Sequence, residues 1–136
     1  MSNRIATRGF DREFNDRAYT EADRLFEQGR YRDALRLFQA VAEADPSDGD
    51  AFMAIGNCWD ALGKPQRAEQ AFRQALALAA PKDHPSVLFN LGNALFDQAL
   101  FAEALAAYQS VPSGIRVSES ARRNAQLASQ RIADAS

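Results

Sequence analysis

The chain contains few residues that could carry catalytic chemistry. Its 136 residues include one cysteine, Cys58, and one histidine, His84. A disulfide needs two cysteines and a structural zinc site needs four ligands of the Cys or His type, so counting excludes both. Cys58 lies in an apolar helical stretch where a buried thiol is expected, and His84 lies in a turn before Pro85, where a surface or helix-capping role is expected. We therefore predict a protein that is not an enzyme and that uses no metal or cofactor.

Two asparagines have types and positions suited to binding. Asn57 and Asn93 occupy corresponding places in two copies of a repeated pattern. A side-chain amide both donates and accepts hydrogen bonds, so it can pair with the backbone of an extended peptide. Whether the two amides share one surface depends on the elements that carry them.

Composition indicates a globular protein without a strong charge. Hydrophobic residues make up 46% of the chain, and 16 basic residues against 18 acidic ones leave a net charge of -2. Because phosphate binding requires a basic surplus, we predict no nucleic-acid partner. The segment 1–14 lacks the apolar run of an export signal, and the longest apolar stretch, 75–80, is far shorter than a membrane span. We expect a soluble, cytoplasmic protein without membrane insertion.

A repeated pattern organises most of the chain. Apolar residues recur three and four positions apart between glycine- and proline-containing breaks, which predicts short helices joined by tight turns. Two copies share the same spacing of large apolar residues around a glycine, followed by an alanine and an aromatic residue. The first copy is Phe52-x2-Ile55-Gly56-x2-Trp59 with Ala68-x3-Phe72. The second copy is Leu88-x2-Leu91-Gly92-x2-Leu95 with Ala104-x3-Tyr108. A third copy upstream contains Ala22, Leu25 and Ala34-x3-Phe38.

This pattern resembles the tetratricopeptide repeat, a helix-turn-helix unit of about 34 residues. The resemblance implies an all-α fold, an α-solenoid of three repeats with a C-terminal capping helix, and seven helices in total. We divide the chain into an N-terminal arm (1–14), three repeats (15–48, 49–82 and 85–114), and a capping helix with its tail (115–136). We expect Ser118 to act as the N-cap of the last helix.

Two local features of the repeats have physical consequences. Gly56 and Gly92 are expected to let the two helices of a repeat approach closely. Ala99 stands where the other repeats have the turn glycines Gly29 and Gly63. If that turn needs a positive φ, the alanine costs about 1 kcal/mol.

By the family resemblance, the first helix of each repeat lines a concave groove. The candidate groove residues are mostly apolar, acidic or amide-bearing: Tyr19, Asp23, Phe26, Met53, Asn57, Asp60, Phe89, Asn90, Asn93, Phe96 and Asp97. Family members that hold acidic C-terminal tails use lysines, an arginine and asparagines on this surface. Here the cations are replaced by Tyr19, Ser86 and Asn90, so an acidic tail is disfavoured.

These residues predict a protein–protein interaction module, an adapter whose groove binds an extended, apolar, neutral-to-basic peptide segment. One alternative is a chaperone similar to the small three-repeat chaperones of type III secretion translocators, a likeness of architecture and length. Another is a scaffold that forms homo-oligomers by docking residues 1–14 into the groove of a second copy. A third alternative is that some of the aromatic residues serve packing and that the carboxylates only solvate the surface.

Overall fold

The computed structural model describes residues 2–79 and 84–136. These residues form seven α-helices and no strand, which confirms the predicted all-α fold. The helices are α1 (Ser2–Glu27), α2 (Tyr31–Ala44), α3 (Gly49–Ala61), α4 (Pro65–Leu78), α5 (His84–Asp97), α6 (Phe101–Gln109) and α7 (Ser118–Asp134). Helix α1 begins at Ser2, so residues 2–14 belong to the same helix as the beginning of the first repeat.

The helices stack in the order of the sequence. Each helix packs against the next one along the chain, and α3 also contacts α5. The core consists of two clusters, one built by α1 to α4 and the other by α3 to α7, and both include the partly buried Phe52 and Trp59. This linear arrangement of helix pairs is an α-solenoid, in which each repeat buries its apolar surface against its neighbours.

The turn within each repeat is closed in the same way. Gly29, Gly63 and Ala99 have φ values of 78°, 75° and 62°. After Ala99, the N–H of Leu100 donates to the Leu95 carbonyl over 3.0 Å, and equivalent bonds of 2.9 Å follow the two glycines. This is the hydrogen bond of a Schellman motif, which requires the left-handed residue. The condition for strain at Ala99 is therefore met.

The helices within a repeat approach closely at the predicted glycines. A Cβ atom added at Gly92 would lie 2.5 Å from Cε1 of Tyr108, and one added at Gly56 would overlap the ring of Phe72. Both rings are almost completely buried. The aromatic residue of the second helix therefore packs directly on the glycine backbone of the first.

The beginning of α7 differs from the prediction. The Ser118 hydroxyl accepts from the Ile115 N–H over 2.8 Å and donates to the Pro112 carbonyl over 2.7 Å, and it makes no capping bond to α7. The prediction that Ser118 acts as an N-cap is wrong, because its hydroxyl is already used to hold the preceding turn.

Helix α7 occupies the position of the first helix of a fourth repeat. Its buried Ala121 and Ala128 lie one repeat length after the buried Val87 and Ala94 of α5. The α5 positions that face a second helix are replaced in α7 by polar residues, with Arg122, Gln126 and Ser129 at the places that correspond to Leu88, Gly92 and Leu95. Those polar residues line an open pocket of about 710 Å³ beside α6. The surface of α7 that would receive a further helix is therefore polar at these three positions.

Candidate functional site

The predicted groove residues lie on α1, α3 and α5, and the structure connects α3 to α5 through an amide pair. The Asn90 Nδ2 of α5 donates to the Asn57 Oδ1 of α3 over 3.3 Å, and both side chains are half-buried. Asn57 therefore contacts the next repeat. Its own NH2 group has no acceptor among the hydrogen bonds of the described residues.

A second amide pair connects α5 to α7. The Asn124 Nδ2 donates to the Asn93 Oδ1 over 3.0 Å, and the Tyr108 hydroxyl donates to the same oxygen over 2.6 Å. Asn124 follows Asn90 by one repeat length, so the two amide pairs are equivalent in successive repeats. Each pair runs from the later helix to the earlier one. Together they form a row of amides across three of the helices that border the groove.

The predicted aromatic groove residues are also part of the packing. Tyr19 lies against Phe38 with ring centroids 5.2 Å apart, and Phe89 lies against Tyr108 at 6.0 Å. The same relation is repeated nearer the turns, where Phe26 pairs with Tyr31 at 5.0 Å and Phe96 with Phe101 at 5.1 Å. These four groove aromatics are half-buried. One part of each ring therefore stabilises its own repeat, and the other part is exposed.

A pocket of about 340 Å³ lies where α3, α5 and α7 meet. It is lined by Asp60, Asn93, Phe96, Asp97, Tyr108, Asn124 and Leu127. Partial burial, the charge of Asp97 and a hydrogen bond with Asp97 raise the pKa of the Asp60 carboxyl above its usual value. Neither carboxylate belongs to an ion pair among the described residues. This end of the groove is therefore negatively charged and has an aromatic wall.

The opposite end of the groove is also acidic. Burial raises the pKa of Tyr19 to about 12, and the carboxylates of Asp23, Asp50 and Asp48 add to the shift. Burial and the neighbouring Glu27 raise the pKa of Asp23. These shifts indicate that several carboxylates lie near Tyr19.

The single cysteine and the single histidine, the residue types best suited to catalytic chemistry, both make contacts within the fold. Cys58 is completely buried, and burial raises the pKa of its thiol to about 11, so little thiolate exists at neutral pH. The Nε2 atom of His84 lies 3.0 Å from the Ala79 carbonyl oxygen. Within 2–79 and 84–136, no group of three or more His, Cys, Asp or Glu side chains could hold a metal ion.

The structure brings six of the eleven predicted residues together in two groups, and it places three further residues beside them. It brings Asn57 to Asn90, and it places Asp60, Asn93, Phe96 and Asp97 in one pocket. Met53 lies partly buried against the second core cluster. The missed residues are Asn124, Leu127 and Tyr108. A signal for Asn124 was present, because Asn124-x3-Ala128 repeats Asn90-x3-Ala94 one repeat length later.

Comparisons with known proteins agree with this architecture. The first repeat domain of Spaghetti (RPAP3), bound to the HSP90 peptide SRMEEVD, is similar with a TM-score of 0.78 and 22% identity, over 88% of this chain and 93% of that one. The Yersinia enterocolitica type III secretion chaperone SycD, in complex with a peptide of the translocator YopD, has a TM-score of 0.78 and 20% identity, over 91% and 96%. The Sgt2 repeat domain from Aspergillus fumigatus has a TM-score of 0.76 and 18% identity, over 89% and 80%. At these identities the likeness shows the fold.

The sequence comparisons assign the family directly. No curated protein sequence matches the chain. Among the described residues, no helix is long and apolar enough to cross a membrane. A family model described as the tetratricopeptide repeat matches residues 19–83 and again residues 60–115, which together span well over half of the chain. The chain therefore belongs to the tetratricopeptide repeat family.

Proposed function

We propose that the concave groove binds an extended peptide segment of a partner protein, apolar in character and neutral to basic in charge. Membership of the tetratricopeptide repeat family makes the chain a protein-interaction module. The observation that carries the finer proposal is the row of amides on α3, α5 and α7, which lies beside half-buried aromatic rings and carboxylates.

Backbone recognition is assigned to the amides. The NH2 groups of Asn57 and Asn93 have no acceptor among the hydrogen bonds of the described residues, while their oxygens are already bonded. An extended peptide exposes main-chain carbonyls that such donors can bind. Removing one donor leaves a desolvated carbonyl unpaired, which costs about 1 to 3 kcal/mol.

Side-chain preference is assigned to the rings and the carboxylates. The part-exposed faces of Tyr19, Phe89 and Phe96 suit apolar ligand side chains, because burying that area releases water. Asp23, Asp60 and Asp97 have no ion-pair partner among the described residues, so they favour lysine or arginine in the ligand and disfavour acidic segments.

The peptides bound by two of the similar solved proteins come from different kinds of partner. The RPAP3 domain binds SRMEEVD, which contains three carboxylate side chains, whereas SycD binds a peptide of a translocator. A groove whose pockets are acidic at both ends repels the first type of ligand. The electrostatic argument therefore favours a ligand unlike the HSP90 peptide.

The first experiment is a selection from a phage-displayed library of random dodecapeptides against the immobilised protein. We expect the enriched peptides to be apolar, to contain lysine or arginine, and to be depleted of aspartate and glutamate. Failure to enrich any sequence, or enrichment of acidic ones, contradicts the proposal.

Calorimetric titration of the most enriched dodecapeptide then locates the site. Asn57→Ala and Phe89→Ala should each weaken binding, whereas Gln126→Ala on the outer side of α7 should not. Asp23→Lys combined with Asp60→Lys should weaken a basic peptide and reduce the salt dependence of its affinity. Unchanged affinity for all groove variants would place the site elsewhere.

A second candidate is a chaperone for translocator-like clients. It is favoured by the similarity to SycD, which extends over 91% of this chain and 96% of the SycD chain. This function predicts that the protein keeps a strongly apolar segment in solution. The test is light scattering of a synthetic, strongly apolar peptide diluted from denaturant, with and without the protein. If suppression of scattering is lost in Phe89→Ala but kept in Gln126→Ala, the chaperone function is supported.

A further inference from the structure

We infer that Asn124 and Tyr108 are positioning residues that orient the Asn93 amide, so that its NH2 group and not its oxygen faces the ligand. The inference rests on the proposed function of the groove and extends it in two ways. It adds α7 to the binding site, and it specifies the chemical group that the ligand must present at one position.

The orientation follows from the hydrogen bonds to one atom. The Asn93 Oδ1 accepts from the Tyr108 hydroxyl over 2.6 Å and from the Asn124 Nδ2 over 3.0 Å. A carbonyl oxygen has two lone pairs, so both are used. While Asn124 keeps its orientation, turning the Asn93 amide over would place the NH2 of Asn93 against the NH2 of Asn124, two donors without an acceptor between them. The orientation of the Asn93 amide is therefore set by that of Asn124.

The first amide pair provides an internal comparison. Asn57 accepts only from Asn90, over a longer distance of 3.3 Å, and Phe72 stands where the third repeat has Tyr108. A phenylalanine offers no hydroxyl to the amide. The orientation of Asn57 is therefore held by one contact, whereas that of Asn93 is held by two.

A fixed donor at Asn93 selects the ligand group opposite it. That group must be a hydrogen-bond acceptor, and the same pocket contains the carboxylates of Asp60 and Asp97, which disfavour an anionic acceptor. A neutral carbonyl of the peptide main chain satisfies both conditions. Asn124 touches Asn93 and acts on the ligand through it.

The test uses the fluorescein-labelled dodecapeptide most enriched on the wild-type protein, with both ends blocked. In Asn93→Asp, the carboxylate still accepts from Tyr108 and Asn124, but it has no donor for the ligand. We expect the fold to be retained, with at most a small fall in melting temperature because a third carboxylate joins Asp60 and Asp97, together with an affinity that is lower by roughly five- to a hundred-fold. A residue whose role is only structural would not lower affinity while stability is kept.

The positioning role is tested at Asn124. In Asn124→Asp, the new acceptor binds the NH2 of Asn93 and turns its oxygen toward the ligand, so affinity should fall although the added negative charge favours a basic peptide. The same change should have little further effect in an Asn93→Asp background, because the donor is already absent. Tyr108→Phe should produce a smaller loss of affinity than Asn124→Asp. Gln126→Glu is the matched control, since it adds the same charge to the outer side of α7.

The outcomes separate the two proposals. If Asn124→Asp and Gln126→Glu both bind as the wild type does, while Asn57→Ala and Phe89→Ala bind more weakly, the positioning role is refuted and the groove function stands. If no groove variant changes the affinity, the groove function fails. If Asn93→Asp binds as tightly as the wild type, Asn93 is not a donor to the ligand.

Discussion

Replacing Gly92 by alanine tests the packing of the third repeat. The new Cβ would lie 2.5 Å from Cε1 and 2.7 Å from Cδ1 of Tyr108, well inside an ordinary contact distance. Tyr108 is 3% exposed and its hydroxyl is bonded to Asn93, so the ring has little space in which to move. Overpacking of this kind costs about 1 to 3 kcal/mol.

Two further effects modify that cost. Alanine is favoured over glycine within a helix by about 1 kcal/mol, which opposes the loss. Displacing the Tyr108 ring weakens the hydrogen bond of its hydroxyl to Asn93, which adds about 1 kcal/mol to the destabilisation. These two contributions offset each other, so we expect a net destabilisation of about 1 to 3 kcal/mol. For a chain of this size the melting temperature should fall by roughly 3 to 10 °C.

The assay is urea denaturation followed by circular dichroism, with a double-mutant cycle against Tyr108→Leu. Leucine is shorter and more adaptable than tyrosine, so in that background Gly92→Ala should become close to neutral. A coupling free energy of about 1 kcal/mol or more would identify the ring as the cause. If Gly92→Ala raises the urea midpoint, or if the two changes are simply additive, the close packing of the glycine on the ring is refuted.

Three other predictions concern the turn, the cap and titration. Ala99→Gly should raise the free energy of unfolding by about 1 kcal/mol, because glycine adopts the φ of 62° without strain. An unchanged urea midpoint would argue against strain at Ala99. Deleting residues 118–136 should expose the apolar surface of α6 and cause aggregation or loss of a cooperative melting transition. Deleting only residues 131–136, which are exposed, should cause neither effect. Burial is the main factor that raises the pKa of Tyr19 and Tyr108 from 10.0 to about 12. The stability that these two shifts contribute should therefore be fully present below about pH 10 and should be lost as the pH rises from 10 to 12. Melting curves should show this decrease, and the variant Tyr19→Phe should flatten it.

Two positions near the groove are unsuitable for simple tests of ligand binding. Asn93→Ala does not test ligand binding alone, because it leaves the buried Tyr108 hydroxyl without its acceptor and so destabilises the fold. Arg123 on α7 lies one repeat length after Phe89, at a groove position, and is not a neutral control. Gln126 serves that purpose because it faces the outer side of the stack.

The sequence alone was sufficient for features that repeat locally. The glycine-to-alanine spacing identified the helix pairs, and the turn residues located their ends, because helical periodicity and left-handed turns depend on neighbouring residues. Gly92 and Ala99 show this most clearly. The close approach of the two helices at Gly92 was expected from the repeat pattern, and a positive φ at Ala99 was stated as a condition from the glycines at the equivalent turns.

Only the tertiary structure decided how side chains from different repeats meet. Asn93 was expected to be free for a ligand, yet its oxygen is bonded to Tyr108 and to Asn124 of a helix assigned only to capping. The proximity of Asp60 and Asp97 was likewise absent from the sequence prediction. The physical reason is that periodicity shows which side of a helix a residue occupies, whereas a hydrogen bond between residues of different repeats depends on how two helices are placed against each other.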